Sequence, residues 1–141
     1  IRRQRQMCIR DSFRHEKNSN GNERAGVLGD TLDRATETLL NEGKSPSRKV
    51  GEIDDRGSHF WLSLYWAEEL AKQTEDAELA EKFAPVAEAL RANAEQIDKE
   101  LIDAQGGAVD LGGYYWPDED KTNAVMRPSE TFNQIIDGLK S

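Results

Sequence analysis

Between Lys44 and Phe60 the chain collects side chains that could hold an anion. Lys44, Ser45, Pro46, Ser47, Arg48 and Lys49 are followed by Gly51, Glu52, Asp54, Asp55, Arg56, Gly57, Ser58 and His59. A guanidinium such as that of Arg48 is planar, permanently charged and bidentate, which suits a phosphate monoester. Ser45 and Ser47 add hydroxyl donors beside it, and Pro46 stiffens the segment. Loops this rich in polar and conformationally unusual residues commonly bind something. The other reading of Arg48 is a surface arginine that ties the loop down through an acid such as Glu52. Asp54-Asp55-Arg56 reads as an internally paired charge cluster. His59 falls in the first turn of the next helix, where the N-terminal dipole disfavours an imidazolium. A neutral ring there could bond a ligand or cap the loop, and the structural role is preferred. His15 has no partner at metal-ligand spacing.

These side chains need a frame, and periodicity supplies one. Val27, Leu28, Leu32, Ala35, Leu39 and Leu40 predict a helix over 26–42, with Gly43 as its stop. The loop over 43–58 leads to a helix over 59–73 that is capped by Ser58. Its stripe of Phe60, Leu64, Ala67 and Ala71 is widened by Trp61, Tyr65 and Leu70, which implies burial on more than one side. Thr74 is expected to cap a short acidic helix that Pro85 interrupts. Pro85 then opens a helix carrying Val86, Leu90, Ala94, Ile97 and Leu101, ended by Gly106-Gly107. Residues 108–116 read as extended. A short helix over 118–126 and a last one after Pro128-Ser129, with Phe132, Ile135, Ile136 and Leu139 as its stripe, complete the chain. Residues 13–25 are polar and read as a loop.

The chain has 141 residues, 33% of them charged and 36% apolar, which is apolar-poor for an autonomous globule. Net charge is −8, but residues 1–12 hold four arginines and one aspartate, leaving −11 for the rest. An acidic body argues against nonspecific nucleic-acid binding and against adhesion to anionic membranes. The arm 1–12 resembles a translated sequencing-library adapter and is expected to lie outside the native fold. Cys8, the only cysteine, lies within it, so no internal disulfide or thiolate metal site is possible. No run is apolar enough to span a bilayer, and the expected location is cytoplasmic.

Two composite motifs carry a resemblance. Lys44–Phe60, KSPSRKVGEIDDRGSHF, closely resembles the C-terminal region of the monomeric type of NADP-dependent isocitrate dehydrogenase. Gly112-Gly113-Tyr114-Tyr115-Trp116-Pro117, Met126-Arg127-Pro128-Ser129 and Thr131-Phe132-Asn133 match the same family in the same order, so the likeness runs from about Leu28 to Ser141. It implies that residues 26–141 are the C-terminal part of the large domain of such an enzyme. The expected fold is a mostly α-helical fragment with a short extended segment, from the cofactor-side domain of a large α/β enzyme. It implies a monomer that oxidatively decarboxylates isocitrate with NADP and Mg²⁺ or Mn²⁺, within the tricarboxylic acid cycle. It also implies that Arg48 contacts the NADP phosphate region.

In this family the metal and substrate ligands come from upstream segments. Hence neither Asp54-Asp55 nor Asp118-Glu119-Asp120 is assigned a metal, no catalytic residue is expected, and these residues alone should not catalyse. Tyr114, Tyr115 and Trp116 could stack on adenine, or close a core beneath Gly112-Gly113. The second is preferred, because the family often carries histidine where this chain has Trp116. The competing functional class is a small acidic helical module that binds a protein partner through the aromatic helix 59–73.

Overall fold

The computed structural model describes residues 2–47, 49, 51–105 and 118–139. Among the described residues there are seven helices and no strand: α1 (Arg2–Asn20), α2 (Glu23–Asn41), α3 (Asp55–Lys72), α4 (Ala77–Ala92), α5 (Ala94–Asp103), α6 (Glu119–Met126) and α7 (Glu130–Gly138). The mostly helical expectation is met. The extended stretch 108–116 and the Gly106-Gly107 stop lie outside the described residues.

α3 is the hub. It packs mainly against α2 and α4 and also meets α5, while α7 rests on α4 and α5. Phe60, Leu64, Leu90 and Ile97 are fully buried, joined by Leu32, Ala35, Leu39, Trp61, Tyr65 and Leu101 in one core. The wide apolar face of α3 is thus absorbed within this chain. Phe132 of α7 closes the core edge-on against Phe60, with ring centroids 5.2 Å apart. A smaller cluster of Val27, Leu70 and Leu79 sits beside it, flanked by Trp66 and Phe83.

Helix ends explain the connections. At the end of α2 the Gly43 N–H donates to the Leu40 carbonyl (3.2 Å) and the Lys44 N–H to the Leu39 carbonyl (3.1 Å). This is a Schellman closure, which requires the left-handed backbone that Gly43 adopts at φ +67°. Asn22, Asp54, Asp76, Asp118 and Ser129 cap α2, α3, α4, α6 and α7 with side-chain oxygens.

Four expectations need correction. Residues 13–20 belong to α1 rather than to a loop. The turn is only Gly21-Asn22, and residues 23–25 already belong to α2. Composition misled here because α1 is held by shape. Gly26 and Gly29 on α2 leave a notch, and a Cβ on Gly29 would stand 3.0 Å from the Phe13 Cβ. Phe13 packs against the core and meets the Trp66 ring edge-on at 6.3 Å. The second correction is at α3, which starts one turn earlier than expected. Asp54 is its cap, and Ser58 is buried inside it.

The third is at α4, where the cap is Asp76 and not Thr74. The fourth is Pro85, which lies inside α4. Proline there removes the bond to the Glu81 carbonyl. Both residues face solvent, so water can satisfy that oxygen, while Leu79, Ala87 and Leu90 bury the opposite side. The helix breaks instead at Asn93, whose side-chain amide donates to the Ala89 carbonyl at 2.9 Å.

The arm 1–12 is helical from Arg2 onward and continuous with α1. Its large apolar side chains remain outside, Met7 being 45% and Ile9 47% exposed. Its link to the body includes a surface ion pair, Arg10 to Asp33 at 3.1 Å.

Candidate functional site

The loop between α2 and α3 is closed by its own backbone. The Ser47 N–H donates to the Ile53 carbonyl at 2.7 Å, joining the loop's two limbs. The Ser47 Oγ accepts from the Lys49 N–H at 3.1 Å, so this hydroxyl braces the loop. Ser45, Pro46 and Lys49 are exposed. Lys44 folds back with its ammonium 4.4 Å from the centre of the Trp61 ring. That ring is itself fixed, its Nε1 donating to the Asp98 Oδ1 at 3.1 Å. The cation therefore rests on an aromatic face whose orientation α5 sets. Arg48, the residue singled out for phosphate, lies outside the described residues.

The second limb enters α3 through Asp54. Its Oδ1 accepts the Gly57 N–H (3.0 Å), and its Oδ2 accepts from Arg56 Nε (2.9 Å) and Nη2 (2.7 Å). The remaining arm of the guanidinium donates to the Val125 carbonyl at 2.7 Å, tying the start of α3 to the end of α6. Burial pushes the Asp54 carboxyl up. The Gly57 N–H and the Arg56 guanidinium outweigh it and hold the group below the usual carboxylate range. The charge cluster is thus internally paired, and Arg56 is engaged structurally. His59 donates from Nδ1 to the Asp55 carbonyl at 2.7 Å, a contact within its own helix. His15 lies in α1 with its Nδ1 3.3 Å from the Ser19 Oγ.

A second polar knot surrounds the start of α7. Ser129 Oγ accepts the Phe132 N–H (3.2 Å) and donates to the Glu100 Oε2 (2.5 Å). Thr131 Oγ1 donates to the other oxygen of Glu100 at 2.9 Å. The Ser129 hydroxyl holds the Glu100 carboxyl below its ordinary range, and the Thr131 hydroxyl adds to this against partial burial. Arg127 and Asn133 bond each other reciprocally: Nε to Oδ1 at 3.1 Å, and Nδ2 to the Arg127 carbonyl at 2.8 Å. Every polar residue of the Arg127-Pro128-Ser129 and Thr131-Phe132-Asn133 motifs is thereby used to start and anchor a helix. Tyr114, Tyr115 and Trp116 lie outside the described residues. Among the described residues no three His, Cys, Asp or Glu side chains converge to hold a metal ion. No described helix is long and apolar enough to cross a membrane.

Residues 5–137 match the family model described as monomeric isocitrate dehydrogenase. The chain belongs to that family. It is 68% identical over 134 residues to an isocitrate dehydrogenase (NADP) of Corynebacterium efficiens, covering 95% of this chain and 18% of that protein. A Corynebacterium glutamicum isocitrate dehydrogenase (NADP) is 65% identical over 134 residues, with the same coverage. Isocitrate dehydrogenase (NADP) 2 of Mycobacterium tuberculosis is 57% identical over 120 residues, 85% of this chain and 16% of that protein. The chain therefore spans under a fifth of the length of these relatives. Burial of Phe60, Trp61 and Tyr65 removes most of the aromatic surface of α3 that the binding module would have used. The matched region begins at residue 5 and so takes in most of the arm set aside on its composition.

Sequence reasoning missed Gln105 and Glu100. Gln105 reaches the loop with both ends of its amide, accepting from the Gly51 N–H (2.8 Å) and donating to the Glu52 carbonyl (2.7 Å). Its one signal was its place directly before Gly106-Gly107. Glu100 gave no local signal, because its partners Ser129 and Thr131 lie 29 and 31 residues further along the chain.

Proposed function

We propose that these residues form part of the cofactor-side domain of a monomeric, cytoplasmic isocitrate dehydrogenase. The enzyme converts isocitrate to 2-oxoglutarate and carbon dioxide with formation of NADPH. Neither nucleic acid nor membrane is a partner. The observation that carries this reading is the family match over residues 5–137, with relatives at 65–68% identity named as NADP isocitrate dehydrogenases. In the enzyme a divalent cation, Mg²⁺ or Mn²⁺, would polarise the substrate oxygen and hold the enolate. The described residues build no site for it, and this chain is assigned no metal ligand and no catalytic residue. Its part is cofactor binding. Arg48 grips the 2′-phosphate of NADP, with Ser45 and Lys49 exposed on the same loop.

The test uses the full-length Corynebacterium efficiens enzyme carrying this chain's residues in place of its matching segment. A charge-assisted hydrogen bond contributes about 1.5–3 kcal/mol. Arg48→Ala should therefore raise the KM for NADP roughly tenfold to a hundredfold. Use of NAD, which lacks the 2′-phosphate, should be as poor as before, and the KM for isocitrate should hold. Lys49→Ala should do less, because an ammonium lacks the bidentate fork. An unchanged NADP constant in Arg48→Ala, or equal losses with NAD and NADP, would make Arg48 a structural loop residue.

A further inference from the structure

We propose that Gln105 is a positioning residue for the phosphate-binding loop, acting on cofactor affinity without touching the cofactor. The proposal rests on the reading of the loop given above. A primary amide has one acceptor end and one donor end. Gln105 spends them on consecutive residues of the loop: its Oε1 takes the Gly51 N–H at 2.8 Å, and its Nε2 gives to the Glu52 carbonyl at 2.7 Å.

The choice of target residue matters. Gly51 sits at φ +89°, where a side chain would be strained, and glycine has the weakest intrinsic preference of any residue. A glycine turn is held by its surroundings or not at all. The bond from the Ser47 N–H to the Ile53 carbonyl closes the base of the loop, and Gly51 and Glu52 lie on its returning limb. Gln105 fixes that limb from outside. It stands just past α5, its own N–H donating to the Ile102 carbonyl at 3.1 Å, which references the clamp to the helical body. Releasing it frees a glycine hinge within a few residues of the phosphate-gripping arginine. The cost appears as ordering entropy at the moment of binding.

The experiment is steady-state kinetics on the full-length chimera, with Gln105→Ala, Gln105→Glu, Arg48→Ala and the double variant Gln105→Ala/Arg48→Ala. Thermal unfolding of each is measured alongside. Loss of two backbone clamps should raise the KM for NADP about three- to tenfold, with kcat and the KM for isocitrate unchanged. Gln105→Glu keeps the acceptor for the Gly51 N–H and should recover part of the loss. It also decides the matter should Gln105→Ala fail to fold. In the double variant, Gln105→Ala should add less than about twofold to the effect of Arg48→Ala, because the two act through one contact. Full multiplication of the two effects, or parallel losses for NADP and isocitrate, overturns the proposal and leaves Gln105 as a stability contact. An effect of Arg48→Ala without one of Gln105→Ala overturns the proposal alone. No effect of Arg48→Ala removes the cofactor-loop reading and this inference with it.

Discussion

Removing the Asp54 carboxylate should cost this chain more stability than any other single change in the loop, and the number can be built from its contacts. Asp54→Ala deletes the cap on α3, an acceptor for the Gly57 N–H that typically contributes about 1 kcal/mol. It also strips Arg56 of two charge-assisted bonds at 2.9 and 2.7 Å. Both partners are largely covered, with side-chain exposures of 27% and 18%, so solvent screens this pair only in part. The guanidinium keeps its bond to the Val125 carbonyl, which limits the loss. Together about 2–3 kcal/mol should go. For a domain this size that is a fall in Tm of roughly 6–12 °C. Asp54→Asn keeps a capping oxygen and loses only the charge, so it should fall between.

Ser58→Ala gives the sharper contrast. Ser58 is 1% exposed and its buried hydroxyl has no hydrogen-bond partner among the described residues, so removal of that hydroxyl should be neutral or stabilising. Urea unfolding followed by circular dichroism measures all three variants. A cost for Ser58→Ala equal to that for Asp54→Ala would place the cap at Ser58 and refute the reasoning. The pH dependence has a definite sign. The folded carboxyl of Asp54 lies below its unfolded value of about 3.9. Its contribution is therefore complete above that value and lost as pH falls through the depressed folded pKa. Asp54→Ala should flatten this acid limb.

Two further outcomes are expected. Ser129→Ala removes the cap of α7 and one hydroxyl from Glu100, and should cost about 1–2 kcal/mol. Hydrogen exchange should rise in α7 first, and equal protection of α7 in both proteins would count against the knot. Deleting residues 1–12 should change stability by less than about 1 kcal/mol, since Met7 and Ile9 are exposed and the Arg10–Asp33 pair lies at the surface. Phe13→Ala, which empties the notch over Gly29, should cost more than the whole deletion in the same urea titration.

How legible was this in the sequence? Local signals with one solution were read correctly. Gly43 as a stop, Ser129 as a start and the buried stripe of α3 each follow from a few neighbouring residues. Where two local solutions competed, sequence alone could not choose. Asp54 and Ser58 are both good caps, and the decision fell to Arg56, whose contact with Val125 lies 69 residues away in the chain. Pro85 reads as a helix boundary on propensity. It is tolerated because the Glu81 carbonyl that it leaves without a helical partner lies on the solvent side while the neighbours of Pro85 pack. α1 was missed because what seats it is an absence of side chains, at Gly26 and Gly29, on a different helix. The loop was legible only as a candidate site, since its residue types are unusual wherever they occur. What holds the loop in shape was not.

That support comes from α5, a helix that reads in the sequence as an ordinary amphipathic stripe. Asp98 fixes the Trp61 ring on which Lys44 rests, and Gln105, seven residues on, clamps Gly51 and Glu52. Asp98 acts from within α5 and Gln105 from just past its end, so the helix and its exit both face the loop. Glu100, two residues from Asp98 and hence well round the cylinder, holds Ser129 and Thr131 at the start of α7. The two motifs that single out this family are separated by more than fifty residues, yet both are anchored to one ten-residue helix. Its apolar positions, Ile97 and Leu101, seat it in the core. Its polar positions therefore transmit a fixed frame to both motifs. A loop proposed to grip a small anion needs that frame more than it needs further charge, because a cation on an unheld glycine turn loses in ordering much of what it gains in attraction.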